Sequence, residues 1–365
     1  AMPLPDPASI ALGRDALDGG ECLPCSFILG DMLSRLEDGD GEPPPAFFMI
    51  SGDGPCRLGQ YPWLFRAVLD GKGHSDVPIF NASQDPRFYE HFGLVPAEFQ
   101  RRAWGGTVAS DLLYRKGRHV RALAVDRTRA DREYESRLAD LEGALERGED
   151  PRASLVHGFD RLEAVPTNGA APEVTIAVLG ENYIRCNPVA NAHLAEALEA
   201  LGAEVWFPSL CEWVMYTNWT ARLHCRYERQ PRRLLRLLAI DAIQRHDLRR
   251  ISAAVRGRLP DTGFPTVTTL LRLAEPYVPS SFEGETVWGI GRAVDFCRRG
   301  VGGVIHVAPF GCMVGGIVES LGHRLSADLG GFPMLHLQYD GRPDEHPAGL
   351  LEGFVDRARA WQDRP

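Results

Sequence analysis

Short, continuous apolar runs alternate along the chain with segments in which apolar residues recur at helical spacing. The runs fall at residues 46–50, 77–80, 174–179, 203–207, 303–307 and 334–338. Runs of this length are typical of parallel strands that are buried on both faces. Helical spacing marks residues 22–36, 187–201, 287–299 and 314–325, the stretch from Cys56 to Leu69, and a last segment that ends near Trp361. The alternation predicts an α/β fold with doubly wound parallel sheets.

A chain of 365 residues is too long for one ordinary core, and its pattern divides into two units. We expect a first α/β domain over residues 1–165, which carries Cys22 and Cys56. A linker near residues 164–172 leads into a second α/β domain over residues 173–365, which carries Cys312. Residues 213–273 of this second domain are helical in pattern and strongly basic, so we expect a helical insertion there.

Three segments of the first domain fall outside the strand and helix alternation. Residues 1–20 are rich in Pro, Gly and Asp, which predicts an extended lead-in. Residues 38–45 form a turn-forming run of the same composition. Residues 124–148 carry charges around a helical repeat, which is typical of a solvated helix.

Composition narrows the function classes. Apolar residues make up 44% and charged residues 24% of the chain, as in ordinary globular proteins. The net charge of −9 argues against general nucleic-acid binding, which usually needs a basic balance. No apolar run is long enough to cross a bilayer, and the first residues do not resemble a signal peptide. We therefore expect a cytoplasmic protein, in which the eight cysteines are ligands or buried thiols rather than disulfides.

Three cysteines share one setting, a loop that opens a helix. Cys22 and Cys56 lie ahead of helical segments with Gly or Pro close by, and Cys312 follows the run at 303–307 in the string Pro-Phe-Gly-Cys-Met. Loops that join a strand to a helix line the ligand crevice of open α/β sheets. Helix N-termini also offer free N–H groups and positive partial charge, which stabilise thiolates. Each is individually more often a small buried residue, but their shared setting makes all three candidate ligands of one bound group.

The other cysteines support weaker interpretations. Four cysteines lie within or beside amphipathic segments and lack Gly-Pro neighbours, and we interpret them as structural. They are Cys186, Cys211, Cys225 and Cys297. The Cys22-x-x-Cys25 pair alone permits a redox dithiol or half of a zinc site, although a zinc site would typically need a second close pair. Cys25 is either a fourth ligand or a helix residue that faces Cys22.

Two further segments are candidate binding surfaces. The loop from Gly180 to Tyr183 follows a predicted strand, so the crevice argument applies to it as well, although it is not a dinucleotide fingerprint. Residues 222–258 are rich in Arg. This segment is either a solvated helix face or a docking surface for CoA phosphates or for an acidic electron-donating partner. No phosphate-binding P-loop occurs, so ATP hydrolysis by this chain is not expected.

Several strings of the sequence resemble one family over nearly the whole chain, from about residue 13 to 358. They are ECLPC with Gly30 downstream, GPCRLGQY, GENYIRCN at residues 180–187, the pair Glu212-Trp213 with Tyr216-Thr217-Asn218, and PFGCM at residues 309–313. They are similar to the acyl-CoA dehydratase activase-related proteins, which are relatives of the 2-hydroxyacyl-CoA dehydratase and benzoyl-CoA reductase subunits and of the double-cubane cluster proteins. GPCRLGQY and PFGCM are the specific strings.

The resemblance implies a fold and a cofactor. It implies two flavodoxin-like domains with a [4Fe–4S] cluster between them, or a double-cubane variant, held by Cys22, Cys56 and Cys312. Two features depart from the family pattern: position 25 is Cys, and Val314 stands where Pro is expected. The larger relatives carry actin-like ATPase domains ahead of this region, so the chain is expected to be a fragment or a stand-alone version.

The implied chemistry assigns roles to residues beside the cysteines. Three thiolates and an anionic cluster need compensating positive charge, and Arg57, directly after Cys56, is the candidate; the alternative for Arg57 is an ordinary surface contact. Glu21 and Tyr61 are candidate proton donors or neighbours of the ligands, although a Glu ahead of a helix is more often a helix-terminus charge.

The resemblance also implies a function. We expect an anaerobic iron–sulfur enzyme component, an oxidoreductase or lyase, that receives low-potential electrons from an ATP-dependent activase and reduces or dehydrates a small substrate, which an acyl-CoA would fit. The alternative is an electron-transfer or cluster-carrying accessory component without a substrate of its own. A zinc-stabilised binding domain is the third hypothesis. No nucleic acid or membrane is expected as a partner, and a homodimer is compatible with all three.

Overall fold

The computed structural model describes residues 4–37, 45–52, 54–83, 97–169, 171–260, 263–342, 346–347 and 349–364. The predicted turn-forming run at 38–45 lies almost entirely outside the described residues. The six described strands are β1 (Phe47–Ser51), β2 (Ile79–Ser83), β3 (Val174–Gly180), β4 (Ala203–Trp206), β5 (Gly303–Pro309) and β6 (Met334–Tyr339).

Helices occupy most of the remaining described residues. In chain order they are α1 (Pro7–Asp15), α2 (Leu23–Glu37), α3 (Tyr61–Gly71), α4 (Ala97–Leu123), α5 (Arg127–Glu146), α6 (Pro151–Glu163), α7 (Asn182–Cys186), α8 (Leu194–Ala200), α9 (Leu210–Tyr227), α10 (Pro231–Ala253), α11 (Val267–Ala274), α12 (Gly284–Arg298), α13 (Met313–Asp328) and α14 (Leu350–Gln362). Among them, none combines the length and the apolar character that a bilayer crossing requires.

The strands form two parallel sheets, and the predicted α/β class is confirmed. One sheet pairs β1 with β2, and the other has four strands in the order β4-β3-β5-β6. A helix connects each pair of neighbouring parallel strands in the larger sheet, as parallel pairing requires. The helical pattern at 213–273 is confirmed as well, because α9, α10 and α11 occupy it.

The four-stranded sheet is packed on both faces. Every residue of β3 and of β5 is buried. Successive side chains of a strand point to opposite faces, so Ile176 and Val178 pack on one side with Phe354 of α14. Ala177 and Leu179 pack on the other side with Trp288 of α12 and its neighbours. The continuous apolar runs therefore correspond to strands between two helical layers.

The strand order of this sheet creates a crevice between β3 and β5. From β3 the chain moves to β4 on one side, and later strands are added on the other side, so the loops after β3 and β5 diverge. Gly180 ends β3 at φ +117°, and a Cβ there would lie 1.9 Å from the carbonyl oxygen of Val307. Only glycine allows the two strand ends to approach this closely.

Among the described residues, helices cover only one face of the smaller sheet. In β1 the buried residues are Phe47, Met49 and Ser51, whereas Phe48 and Ile50 are exposed. Residues 46–50 were predicted to be buried on both faces, and that prediction is wrong for these two side chains. The buried face packs against α2 and α3 in one hydrophobic cluster, and a sheet covered on one face shows this alternation.

The lead-in predicted to be extended contains a helix instead. Asp6 caps α1 by accepting the backbone N–H of Ser9 at 2.8 Å, and the Ser9 hydroxyl oxygen accepts the backbone N–H of Asp6 in return. Pro7 fits the first helical turn, where its missing N–H costs nothing. The capping box outweighs the composition, so α1 forms and packs on α2.

The helix predicted at 187–201 is broken. Asn187 is extended, at φ −108° and ψ 109°, because the residue before a proline is pushed out of the α region and Pro188 follows. The prediction is therefore correct only for residues 194–200, which form α8. α7 ends at Cys186, before the predicted segment, and residues 188–193 form turns in which Ala192 and His193 are in the left-handed region.

Helices from the two predicted domains share one core. α4, α5 and α6 pack with α9 and the end of α10 in a cluster that contains Leu112, Phe159, Met215 and Ile251. α2 likewise joins two clusters, because Leu23 and Phe27 pack with the larger sheet whereas Leu29 and Met32 pack with β1 and α3. The domain boundary near residue 165 stays a prediction.

Candidate functional site

The three predicted ligand cysteines each occupy the position directly before a helix. Cys22 precedes α2, Cys312 is the N-cap of α13, and Cys56 is the N-cap of a short 3₁₀ helix, Arg57–Gln60, that leads into α3. Cys22 is buried, Cys312 is partly buried, and Cys56 is exposed. Backbone N–H groups of the following turns reach the Cys56 and Cys312 thiols, as expected at helix N-termini.

The Arg57 side chain joins the loops that carry these cysteines. Its guanidinium donates to the carbonyl oxygen of Gly20 at 3.0 Å and to that of Gly311 at 3.2 Å. Gly20 lies two residues before Cys22, and Gly311 lies directly before Cys312. Arg57 itself follows Cys56. One side chain thus connects three loops that are far apart in sequence.

The thiols of these loops are close enough to influence one another electrostatically. Burial raises the pKa of Cys56, and the neighbouring Cys22 raises it further. Burial also raises the pKa of Cys312, and Cys56 adds to the rise. Backbone N–H groups act in the opposite direction, from Leu58 on Cys56 and from Gly315 and Val314 on Cys312. Cys56 therefore lies within electrostatic range of both Cys22 and Cys312.

Tyr61 and Cys25 lie behind Cys22. The Tyr61 hydroxyl and the Cys22 sulfur share a hydrogen bond. Burial, with the Cys22 charge as the next cause, raises the pKa of Tyr61 far above its ordinary value. Cys25 is fully buried, and burial followed by Cys22 raises the pKa of its thiol to about 12. Both groups keep their protons at neutral pH, so neither places a negative charge beside Cys22.

Glu21 is placed differently from Tyr61. Its carboxylate accepts the backbone N–H of Gly19 at 3.1 Å, so it stabilises its own loop. It does raise the pKa of Cys25, although less than burial and Cys22 do. This position fits a helix-terminus charge better than a proton donor.

Two glutamates face the thiols from the larger sheet and its helices. Glu181, directly after β3, caps α7 by accepting the backbone N–H groups of Tyr183 at 3.1 Å and Ile184 at 2.9 Å. Glu285 lies in the first turn of α12, and its Oε1 atom is buried without a hydrogen bond. Both raise the pKa of Cys56. We call Glu181 and Glu285 the carboxyl pair.

The carboxyl pair holds a proton at neutral pH. Burial, followed by the charge of Glu181, raises the pKa of Glu285 to about 8, and Arg185 opposes the rise. Burial also raises the pKa of Glu181. Two half-buried carboxyl groups with one nearby arginine cannot both ionise at low cost. One group of the pair is therefore a protonated acid.

These residues line a concave surface. Cys56 and Cys186 are exposed, yet burial raises the pKa of each thiol. A group that is both reachable by solvent and surrounded by protein lies in a cleft. Glu181 and Glu285 both raise the pKa of Cys186, which places it on the same surface. We call the surface formed by Cys22, Cys56, Cys186, Cys312 and the carboxyl pair the thiol cleft.

The structural interpretation of the other cysteines holds only in part. Cys211 and Cys225 are buried, as a structural role requires, and Cys297 is partly buried. Cys186 is exposed in the thiol cleft, so it does not pack in a core. The sequence signal for Cys186 was the preceding loop, Gly180 to Tyr183, whose position after a strand predicted a binding surface. Glu285 had no such signal, because a glutamate early in a helix is common.

The donors of the thiol cleft are cysteine thiols. In the described parts of the chain, no three His, Cys, Asp or Glu side chains are grouped closely enough to hold a single metal ion. Three thiols on three loops, each beside helix N–H groups, are the donors that iron–sulfur clusters take. The residues present fit such a group in donor chemistry.

A histidine pair lies beneath the cleft. His306 of β5 and His336 of β6 are register partners, with their Nδ1 atoms 3.1 Å apart and their rings stacked at 5.0 Å. Burial, followed by His336, lowers the pKa of His306 to about 3. Burial also lowers the pKa of His336. Both rings are therefore neutral, and one Nδ1–H donates to the other.

A separate cavity lies between α4 and the end of β4, and its charged groups are already paired. His119 contacts Glu204 at 2.8 Å, and Arg118 contacts Glu196 at 2.9 Å. These ion pairs attach α4 to the edge of the larger sheet. Contacts between secondary-structure elements therefore account for the charged residues that line this cavity.

No protein-family model matches the chain, and no curated protein matches it either. The functional interpretation accordingly rests on the geometry and chemistry of the thiol cleft.

Proposed function

We propose that the chain is an iron–sulfur redox protein of the 2-hydroxyacyl-CoA dehydratase type, with a [4Fe–4S] cluster held by Cys22, Cys56 and Cys312. The observation that carries the proposal is the meeting of three helix-opening cysteine loops around Arg57 at the switch point of a parallel sheet. Ligands bind at such switch points. Structural thiols, by contrast, have no reason to lie at three equivalent loop positions.

The protein supplies the surroundings of the cluster. When bound, the cluster would supply one-electron chemistry and an iron without a protein ligand. Tyr61 and Cys22 share a hydrogen bond, in which the Tyr61 hydroxyl would be the donor once Cys22 is a thiolate ligand, and N–H groups of α13 face Cys312. Hydrogen bonds to ligand sulfurs raise a cluster's potential and stabilise its reduced form. Arg57 adds positive charge beside the ligand loops.

The carboxyl pair gives the thiol cleft a proton source. Reduction of a substrate consumes protons together with electrons, and dehydration needs a proton on the hydroxyl group that leaves as water. Glu285 holds a proton at neutral pH and has an unpaired oxygen, so it is the group placed to donate. A protein that only carries electrons needs no such acid. This observation favours an enzyme over an accessory electron carrier.

The flavodoxin-like architecture belongs to the same proposal. The larger sheet has the order 2-1-3-4 when its strands are numbered along the chain, which is the beginning of the flavodoxin-like order 2-1-3-4-5. β1 and β2 would belong to a second sheet of the same kind. Electrons would come from an ATP-dependent activase, and an acyl-CoA is the proposed substrate class.

Iron and sulfide analysis after anaerobic purification tests the cluster. Cys22→Ala, Cys56→Ala and Cys312→Ala are each expected to lose most of the iron, while Cys297→Ala keeps it. Circular dichroism establishes that each variant is folded. Unchanged iron in all three variants would reject the ligand set, and stoichiometric zinc without iron would support a zinc-stabilised domain instead.

Reoxidation of the reduced protein tests the enzyme. We expect members of an acyl-CoA panel to reoxidise the cluster rapidly, and we expect Glu285→Gln to slow this at unchanged iron content. Electron exchange with a partner, without any response to acyl-CoA, would indicate the accessory role instead.

A further inference from the structure

α10 has apolar side chains on two opposite faces. Leu237 and Ile251 point inward and are buried. On the outward face, Leu235 is 68% exposed, Ile243 51% and Leu238 38%. A surface helix normally turns its apolar stripe toward the core and its polar residues toward water. Contiguous exposed apolar side chains of this kind mark interaction surfaces.

Buried polar contacts fix the rotation of α10 about its axis. Arg101 donates to both carboxylate oxygens of Asp247, at 2.8 and 2.9 Å. The Asn218 amide donates to the Gln244 side chain at 2.6 Å. Asp241 is fully buried and pairs with Arg222 at 2.5 Å. Turning the helix to bury its leucines would leave these charges unpaired, at a cost of several kcal/mol.

The outward residues form one continuous stripe. They occupy positions i, i+3, i+4, i+7 and i+8 of the helix and are Leu235, Leu238, Ala239, Ala242 and Ile243. This spacing places them on one face over about 12 Å. The two alanines leave the middle of the stripe shallow, with larger side chains around it. We call these five residues the α10 stripe, and its shape suits an apolar helix face.

Exposed arginines flank the α10 stripe. Arg232 and Arg236 lie at its N-terminal end, and Arg249 lies beyond its C-terminal end. Within the described residues none of these three forms an ion pair, unlike Arg245, which pairs with Asp241. Unpaired cations around an apolar centre are complementary to an acidic rim with an apolar middle.

We propose that the α10 stripe is a docking surface for an amphipathic helix of an acidic partner protein. Leucine or similar residues of that helix would cover Leu235, Leu238 and Ile243, and flanking carboxylates would pair with the arginines. This is the helix-on-apolar-face mode of recognition. This proposal does not depend on the function proposed for the thiol cleft.

Charge and composition argue against two other occupants. If α10 paired with its own copy about a two-fold axis, Arg232 and Arg236 would face Arg249 of the second copy, and like charges would repel. A bilayer surface is also disfavoured, because the α10 stripe has none of the aromatic residues that anchor helices at membrane interfaces.

A labelled synthetic peptide tests the proposal. The peptide is an acidic amphipathic helix with leucines at i, i+3, i+4 and i+7 and glutamates beside them, and its binding is followed by fluorescence anisotropy. We expect saturable binding that Leu235→Gln with Ile243→Gln weakens at least tenfold, and that Arg232→Glu with Arg236→Glu weakens at least tenfold. Added salt should weaken binding as well.

Matched variants serve as controls. Val125 is 70% exposed and lies outside α10, and Arg132 is an exposed arginine of α5. Val125→Gln and Arg132→Glu should leave binding unchanged. All the substituted side chains are on the surface, so unchanged circular dichroism is expected for each variant.

Four outcomes would overturn the proposal. They are no binding of the acidic peptide, equal binding of a peptide with lysines in place of the glutamates, binding to phosphatidylserine vesicles that the stripe variants abolish, and a dimer in sedimentation experiments that the same variants dissociate. The last two would assign the α10 stripe to a membrane or to a second copy of the chain.

Discussion

The thiol cleft has one side built on the larger sheet and one side built on the smaller sheet. On the larger-sheet side, Glu181 and Cys312 follow strands in which every residue is buried. On the smaller-sheet side, Cys22 and Cys56 come from a region whose two-stranded sheet leaves Phe48, Ile50 and Phe80 exposed. The same kind of loop is therefore supported in two different ways.

The second side is positioned by contacts with the first. Leu23 and Phe27 of α2 pack into the core of the larger sheet. Arg14 of α1 donates to the carbonyl oxygen of Gly341, after β6, at 2.7 Å. Arg57 adds its hydrogen bond to Gly311. The larger sheet fixes its side of the cleft by its own packing, whereas the smaller sheet depends on docking.

Two phenylalanines test whether the sides differ in this way. Phe354 is buried in the core of the larger sheet, and Phe65 is buried beside β1 and α3. Truncation of a buried Phe to Ala costs about 3–5 kcal/mol. Phe354→Ala is expected to lower the free energy of global unfolding by that amount. Phe65→Ala is expected to open mainly residues up to 83, with less effect on the rest.

Amide hydrogen exchange separates these outcomes. Phe354→Ala should lower protection throughout the chain, whereas Phe65→Ala should leave β3 and β5 protected. Equal loss of protection in both variants would show a single cooperative unit, and the proposed difference between the sides would be wrong.

The sequence predicted the larger sheet better than its surroundings. Strands β3 and β5 are buried on both faces, so their composition alone marks them as apolar runs. α1 was missed because the capping by Asp6 and Ser9 outweighs a composition rich in Pro and Gly. The shared helical core was missed because α10 turns polar residues such as Asp241 inward, and only tertiary partners make that arrangement favourable.

In the candidate site too, residues marked by a local sequence pattern were predicted, and residues that act through tertiary contacts were not. Cys22, Cys56 and Cys312 could be selected from sequence because Gly or Pro neighbours mark their loops as close-approach turns. Tyr61 was named as a proton donor or neighbour of the ligands; it contacts Cys22, and its role stays a prediction. Glu285 could not be found, because its pKa depends on Glu181, which lies 104 residues earlier in the chain. Chemistry that arises from long-range proximity leaves no local pattern.

The pH dependence of stability should have opposite signs on the two sides. Burial lowers the pKa of His306, beneath the larger-sheet side, from 6.5 to about 3. The unfolded chain then binds more protons than the folded chain between these values, so this contribution to stability rises with pH. Between pH 5 and 7 the gain is about 2 kcal/mol.

Asp31 acts in the opposite direction on the smaller-sheet side. Burial raises the pKa of its carboxyl from 3.8 to about 6, although Ser9 donates a hydrogen bond to it. The folded chain binds more protons between these values, so this contribution is present at low pH and is lost as pH rises through 6.

Urea unfolding at pH 5, 6 and 7 checks both signs. Relative to the parent protein, His306→Asn should flatten the rise of stability with pH, and Asp31→Asn should steepen it by a smaller amount. His323→Asn, at an exposed position of α13, is the control and should leave the slope unchanged. The same direction of change in both variants would contradict the assignment.

Arg57→Gln should have the smallest effect on stability and the most specific effect on the cleft. It removes two exposed hydrogen bonds, which together are worth about 1 kcal/mol. Because those bonds join Gly20 to Gly311, we expect faster amide exchange in the loops before Cys22 and Cys312, with β3 and β5 unchanged. Arg132→Gln, which alters an exposed arginine of α5, should change neither.

The reason for this expectation is that the two sides of the cleft depend unequally on Arg57. The larger-sheet loop keeps the support of β5 when the link is lost, whereas the Cys22 and Cys56 loops lose one of their few fixed contacts. Exchange should therefore increase more before Cys22 than before Cys312. An equal increase in both loops would mean that the larger-sheet loop also depends on docking, and no increase in either would mean that α1 and α2 alone hold the smaller-sheet side in place.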